Sequence, residues 1–412
     1  MKLFINSVKL LFFILAIFFG TNHIYGQESS RPFKILWQKD FGCEEGFSYS
    51  PGAITFNNTE HTLLIMGISF RPKVYSDAKF WLWEINEKGE KIKDTVIKEV
   101  PREHKSTIQQ GSELIKDLTI SKSNDIFTIG EFDGQFQSFM KMNREGKIIF
   151  SKDITEETLG GVNSLISKII NLPDSNFLLI GRDGRSQGLI IKVDSEGNKI
   201  WKKVYNTGQW GLFTDGMLIE NNGDFLIVGC SGKREKTSLI GVSNVWMLRC
   251  DTEGNIVTEE FFQGNPLPGR QPQLCQLGSG NFVVAYDGNT QMMSMNTDHR
   301  IRAVSPDLKL LWDKEVVKSE KAPPTFFRIT DIPGGGFIVA DCINFSDLRV
   351  YEYDEKGNRI SSLSIDKVIW ISNFNLVSTK DKIFILLQTL SKSKDAISEL
   401  KILVVEPHKL EN

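Results

Sequence analysis

Residues 175–208 read SNFLLIGRDGRSQGLIIKVDSEGNKIWKKVYNTG. The stretch parses into three short strands: Asn176–Gly181, Leu189–Val193 and Lys199–Tyr205, with the turn Asp194-Ser195-Glu196-Gly197-Asn198 between the last two. The first strand is apolar at consecutive positions, so it must be covered on both faces. In the turn, an Asp or Asn side chain closes the chain on itself. A Gly three places on takes the left-handed conformation of a bulged hairpin without steric cost.

Outward from this stretch the same phrase recurs. Apolar runs closed by Gly are Leu63–Gly67, Ile126–Gly130, Phe177–Gly181 and Phe225–Gly229. Weaker copies are Phe282–Tyr286, Phe337–Asp341 and Ile383–Leu387. The turn recurs at Asn86–Gly89, Asn143–Gly146, Asp194–Gly197, Asp251–Gly254 and Asp354–Gly357. In the fifth copy, Ser305-Pro306-Asp307-Leu308 lacks the Gly, and Pro306 is expected to set a plain type I turn. The acids of these turns suggest calcium, but each turn is too short to supply six oxygens, so a structural hairpin is the better reading. Each unit thus carries four strands, a to d, within about 50 residues, and helical periodicity is absent. The chain is expected to be all-β: a seven-bladed β-propeller of four-stranded antiparallel blades.

The last copy offers only three strands before the chain stops at Asn412. Ile35-Leu36-Trp37-Gln38-Lys39 matches the fourth-strand phrases Lys199-Ile200-Trp201 and Leu310-Leu311-Trp312. Residues 34–41 are therefore expected to complete the last blade, closing the ring and removing exposed edges.

The phrase Val193-Asp194, Gly197, Trp201 resembles the propeller repeats of secreted Bacteroidetes-type proteins and, more distantly, quinoprotein repeats. The resemblance covers nearly all of the mature chain and implies a scaffold, because repeats of this kind specify fold and not function. Quinoprotein enzymes add a Thr before the turn Gly and an adjacent Cys-Cys pair, and both are missing here. The Asp-box of sialidases is echoed only faintly, and in the wrong order, by residues 194–201. No cofactor and no catalytic residue follow from the resemblance.

The N-terminus reads as a secretory signal peptide over residues 1–26. Lys2 and Lys9 precede the apolar run Leu10–Phe19, and Gln27 follows the expected cut after Ile24-Tyr25-Gly26. That run is too short to cross a bilayer, and no other stretch qualifies. Residues 27–412 then form a single propeller domain, exported to the periplasm or beyond and expected to be a monomer. Net charge is −2 over the whole chain, which leaves no electrostatic footprint for nucleic acid. With 40% hydrophobic and 24% charged residues the chain is composed to fold. The five cysteines show no metal spacing. Cys230 and Cys250 fall at opposite ends of one hairpin, too far apart to bridge, so buried thiols are expected.

In a four-stranded blade the a–b and c–d turns share one face, and the b–c and d–a connections share the other. The first set is short and uniform. The second is longer: Ile68–Lys79, Pro101–Ser112, Ser231–Ser243, Gly264–Gln271, Asp287–Asp298 and Lys318–Thr325. Binding residues favour such loops. Arg71, Lys233, Arg234 and Arg270 are candidates for carboxylate ligands, and Trp210 and Phe213 for stacking on a sugar ring. Asp117, Ser167, Asp215 and Asn373 fall on innermost strands facing the channel. Met292, Met293, Met295 and His299 crowd one loop and offer copper(I) donors, but the loop stands alone and no metal is expected. The favoured function is a non-enzymatic binding or scaffold protein that presents one loop face to a protein or glycan. The alternative is a secreted carbohydrate-active enzyme, a hydrolase or lyase, with acids at the channel mouth. Two carboxylates roughly 5–9 Å apart in a pocket on that face would mark hydrolysis.

Overall fold

The computed structural model describes residues 31–408 except 43–46, 72–75, 101–113, 133–136, 155–164, 207–209, 220–222, 233–242, 265–270, 289–296, 320–323, 334, 344, 366–370 and 391–397. These gaps take in most of the b–c and d–a connections. The strands make seven antiparallel sheets, spanning 48–99, 115–153, 165–205, 210–263, 273–319, 324–365, and 371–406 together with 34–41; six have four strands, and the short strand Arg31–Pro32 adds a fifth to the outer edge of the sixth. Blade 3 is the type example: a is Leu165–Asn171, b Phe177–Arg182, c Gly188–Val193 and d Lys199–Tyr205. Each strand a touches strand a of the next blade, and the seventh meets the first. These strands therefore form the wall of a central channel.

The ring closes as the sequence predicts. Lys34–Phe41 runs antiparallel to Ser398–Glu406 as the outer strand of blade 7, with Lys34 opposite Glu406 and Phe41 opposite Leu400. Past the last strand, His408 reaches back to blade 6. Its backbone N–H donates to Glu352 Oε1 at 2.8 Å, and its Nδ1 lies 2.7 Å from Glu352 Oε2. Glu352 is fully buried, and burial pushes its carboxyl above the usual range, with His408 pulling the other way. A raised folded pKa means that stability from this group is present below the unfolded value and is lost as pH rises through the folded value. Stability measured by urea unfolding between pH 4 and 8 should therefore fall with rising pH less steeply in Glu352→Gln than in the parent. Parallel curves would remove the assignment.

Apolar side chains fill the seams between blades. Phe127 and Phe139 of blade 2 meet Phe177 and Leu189 of blade 3; Val283 and Ile301 of blade 5 meet Phe337 and Val339 of blade 6. This is why the b strands are apolar on both faces: each blade has a neighbour on either side. The seams bury Cys230, Cys250, Cys275 and Cys342 as free thiols, as expected. Burial pushes Cys230 and Cys250 up to about 12.

The Gly that closes four of the apolar runs has a steric cause. In blades 1–4, strand a bulges directly opposite it: the extra residues Gly52, Lys116, Ser167 and Thr214 face Gly67, Gly130, Gly181 and Gly229. The bulge drives a carbonyl oxygen into the space of the missing side chain. A Cβ on Gly181 would lie 1.9 Å from Leu165 O, and one on Gly229 2.0 Å from Leu212 O. In blades 6 and 7 the bulge lies nearer the start of strand a, at residues 325 and 372, and there Asp341 and Leu387 hold the equivalent place.

The recurrent turn and the recurrent aromatic are two halves of one contact between blades. Trp37, Phe150, Trp201 and Trp312 on d strands lie against the turn glycines Gly89, Gly197, Gly254 and Gly357 of the following blades. Trp37 Nε1 donates to Glu87 O at 2.8 Å, and Lys39 Nζ, two residues on, to Gly89 O at 2.9 Å. Trp312 Nε1 and Lys314 Nζ do the same to Glu355 O and Gly357 O, at 3.2 and 3.0 Å. The turn acids are internally satisfied. Asp194 Oδ1 accepts the N–H groups of Glu196 and Asn198 at 2.9 and 2.7 Å, and its Oδ2 accepts Asn198 Nδ2 at 2.9 Å.

Two local expectations are corrected. Leu308 sits at φ 62°, in the place the other copies give to Gly, with the same closing bond from Leu308 N to Ser305 O at 2.9 Å. The fifth turn is thus the same bulged hairpin, and burial of the Leu308 side chain offsets the backbone strain. Most of the loop expected at Ile68–Lys79 is strand: Thr62–Arg71 and Ser76–Asn86 continue the ladder, because their apolar alternation carries on into the seam.

Candidate functional site

One residue of each strand a pairs with the fourth residue of the adjoining apolar run. These positions are Ala53, Asp117, Lys168, Asp215, Gln273, Arg328 and Asn375, opposite Met66, Ile129, Ile180, Val228, Ala285, Ala340 and Leu386. They form one level of the channel wall, polar everywhere except at Ala53.

The acceptors at this level stitch neighbouring blades together. Asp117 Oδ2 accepts the N–H of Ile169 in blade 3 at 2.8 Å. Asp215 Oδ2 accepts that of Leu274 in blade 5 at 2.9 Å, and Gln273 Oε1 that of Ile329 in blade 6 at 3.2 Å. In each case the donor is the residue after the ring position of the next blade. Lys168 cannot accept, so the Gly216 N–H of blade 4 bonds instead to Asp215 Oδ1 at 2.9 Å. Lys168 Nζ lies between two blades, 3.8 Å from Asp117 Oδ2 and 3.8 Å from Asp215 Oδ1. Burial pushes the Asp117 carboxyl up, and Lys168 opposes that push. The two carboxylates, Asp117 foremost, raise the Lys168 ammonium against the opposing effect of burial. Across the channel, Arg328 Nη2 reaches Asn373 Oδ1 at 3.4 Å and Nε reaches Asn375 Oδ1 at 3.5 Å; burial draws its guanidinium down to about 10.

Of the residues singled out in the sequence, Asp117 and Asp215 come together on Lys168, and Asn373 meets Arg328. Ser167 is the bulged residue beside Lys168, with a buried Oγ that has no hydrogen-bond partner. Trp210 is half-buried at the loop-face end of strand a in blade 4. Phe213 is not a sugar platform. It is fully buried between blades, 4.6 Å from the Trp246 ring and 5.6 Å from Tyr205, because it faces the seam and not the loop face. Arg71 is exposed on the loop face, with Nε 3.1 Å from Asp77 Oδ2 and its guanidinium 5.0 Å from the Phe47 ring. Lys233, Arg234 and Arg270, like Met292, Met293 and Met295, lie outside the described residues. His299 is buried in the seam between blades 5 and 6, its Nδ1 3.3 Å from Asp341 Oδ1. Among the described residues no three His, Cys, Asp or Glu side chains are grouped as for a metal, and no helix is long and apolar enough to cross a membrane.

Lys168, Gln273, Arg328 and Asn375 escaped the sequence reading. A signal existed: each ring residue stands about nine positions ahead of its apolar run. The bulge hides it, since one extra residue moves the side chains to the other face. That is why Ser167 stood out in place of Lys168.

No family model matches the chain, and no curated protein does. Solved structures do. The WD40 domain of Toxoplasma gondii coronin matches with TM-score 0.53 at 11% identity, covering 92% of this chain and 89% of that one. The polysaccharide lyase Uly1 matches with TM-score 0.52 at 11% identity, covering 94% of each. BBS1N, solved in complex with ARL6DN, matches with TM-score 0.52 at 10% identity, covering 91% and 97%. At such identities the likeness is one of fold, and the chain is a seven-bladed β-propeller.

Proposed function

We propose that this protein is an exported binding propeller, of the kind found among secreted Bacteroidetes-type repeat proteins, that presents its b–c and d–a loop face to a protein or glycan. The observation that carries the reading is the use made of the channel acids. Asp117 and Asp215 each hold a backbone N–H of the neighbouring blade and share one lysine. Acids so engaged work as couplers of the ring; moving either to protonate a leaving group would break a bond between blades. Arg71 and Trp210, on the loop-face side of that ring, are described residues placed to meet a partner; Arg234 and Arg270, outside the described residues, remain candidates from the sequence.

The test uses the chain from Gln27 onward on a glycan array, alongside assays for release of reducing ends or unsaturated uronates from polysaccharides. Retention of a glycan without product, weakened by Arg71→Ala or Trp210→Ala, is the expected result. Product release that Asp117→Asn abolishes would establish the carbohydrate-active alternative instead. N-terminal sequencing of the exported protein should begin at Gln27.

A further inference from the structure

Between the polar ring and the a–b turns, the channel holds a cavity of about 380 Å³, walled by strand a of blades 1, 2, 3, 4 and 7. It lies at the end of the channel opposite the loop face. Its volume falls in the range of small-molecule sites. We propose that this cavity binds a neutral polyhydroxylated molecule of monosaccharide size, at a site separate from the loop face.

The donors and acceptors in the wall support that class of ligand. Lys168 Nζ is 3.8 Å from each of its two carboxylates, and with three donors it retains capacity for a ligand hydroxyl beside them. Asp117 binds Ile169 N through Oδ2 and, as a carboxylate, has further acceptor capacity. Thr119 Oγ1 accepts from Asn171 Nδ2 at 2.8 Å, and Asn171 Nδ2 also donates to Ile120 O at 2.9 Å. The Thr119 hydroxyl is thereby left as a donor, and Asn171 Oδ1 as an acceptor. Met217 and Leu376 add apolar wall of the kind that packs on the C–H face of a sugar ring.

Charge selects among polar ligands. The two carboxylates of the ring, Asp117 and Asp215, are matched by two cations, Lys168 between them and Arg328 across the channel, so the ring offers an anion such as a uronate no net attraction. A cation gains no net attraction either. A neutral ligand with many hydroxyls needs none and uses donors and acceptors alike.

Saturation-transfer NMR on the chain from Gln27 onward, with glucose, galactose, N-acetylglucosamine and glucuronate as probes, tests the proposal. At least one neutral sugar should show transfer and glucuronate should show less. Lys168→Met should weaken that sugar at least tenfold, Leu376→Trp should weaken it at least tenfold by taking up part of the cavity, and Ile92→Ala, exposed on the outer strand of blade 1, should leave it unchanged. Should Lys168→Met or Leu376→Trp fail to fold, Thr119→Val, which removes one hydroxyl, should weaken the sugar at least threefold. Transfer from no neutral sugar, stronger transfer from glucuronate, or binding indifferent to every folded variant of Lys168, Leu376 and Thr119 would overturn it. Glycan retention on the loop face is read separately through Arg71 and Trp210, so either result can stand without the other.

Discussion

Removal of residues 34–41 is expected to lower the thermal midpoint by about 10 °C or more, or to leave the protein aggregated on expression. The strand covers one edge of blade 7, where seven partner residues from Leu400 to Glu406 would lose their ladder. It also packs Phe41 against a seam containing Trp83, Leu400 and Ile402, with ring centroids of Phe41 and Trp83 5.9 Å apart. Trp37 and Lys39 on the same strand hold the first c–d turn of blade 1. The deletion therefore strips the outer edge of blade 7 and loosens its seam with blade 1. Loss of a buried aromatic, several aliphatic contacts and a row of backbone bonds amounts to about 5 kcal/mol or more, comparable with the whole stability of many domains. A synthetic peptide of residues 30–42 should restore part of the midpoint by pairing in trans. A truncated chain that melts within a degree of the parent would show that closure does not depend on this strand.

Gly181→Ala is expected to destabilise the fold by about 3 kcal/mol, a large value for one methyl group. The added Cβ would stand 1.9 Å from Leu165 O and 2.7 Å from Ile166 Cα, both backbone atoms of the bulge. Neither can rotate aside. Relief requires the bulge to open, which would also move Lys168 away from Asp117 and Asp215. Gly42→Ala is the control: nothing lies within 4 Å of the position its Cβ would take, and a change within about 0.5 kcal/mol is expected. Urea unfolding of both variants measures the difference. Equal stabilities would mean that the glycines closing the apolar runs have no steric role.

Much of this was legible before any coordinates. The seven apolar runs, the Asp-x-x-Gly turns and the echo of Trp201 at Trp37 mark blades, hairpins and ring closure. Each depends on local chemistry: β-branched and aromatic residues for a strand covered on both sides, Gly for positive φ, a side-chain oxygen to close a turn. The repetition let seven weak signals reinforce one another. Phe213 was misjudged because a sequence does not say which face of a strand meets the seam. Leu308 was misjudged because burial, a tertiary quantity, outweighed the local preference for Gly.

The channel was read only in part. Asp117 and Asp215 stood out as acids on innermost strands. Their common partner Lys168, and Arg328 across the channel, did not.

By itself the sequence determined the number of blades, the place of each turn and the strand that closes the circle, because those follow from local strand and turn patterns that each repeat restates. Tertiary structure decided which seven residues share a level of the channel, why four apolar runs end in Gly, and where a cavity opens. Those depend on a one-residue bulge in strand a and on contacts between residues some fifty positions apart, which no local pattern of polarity encodes.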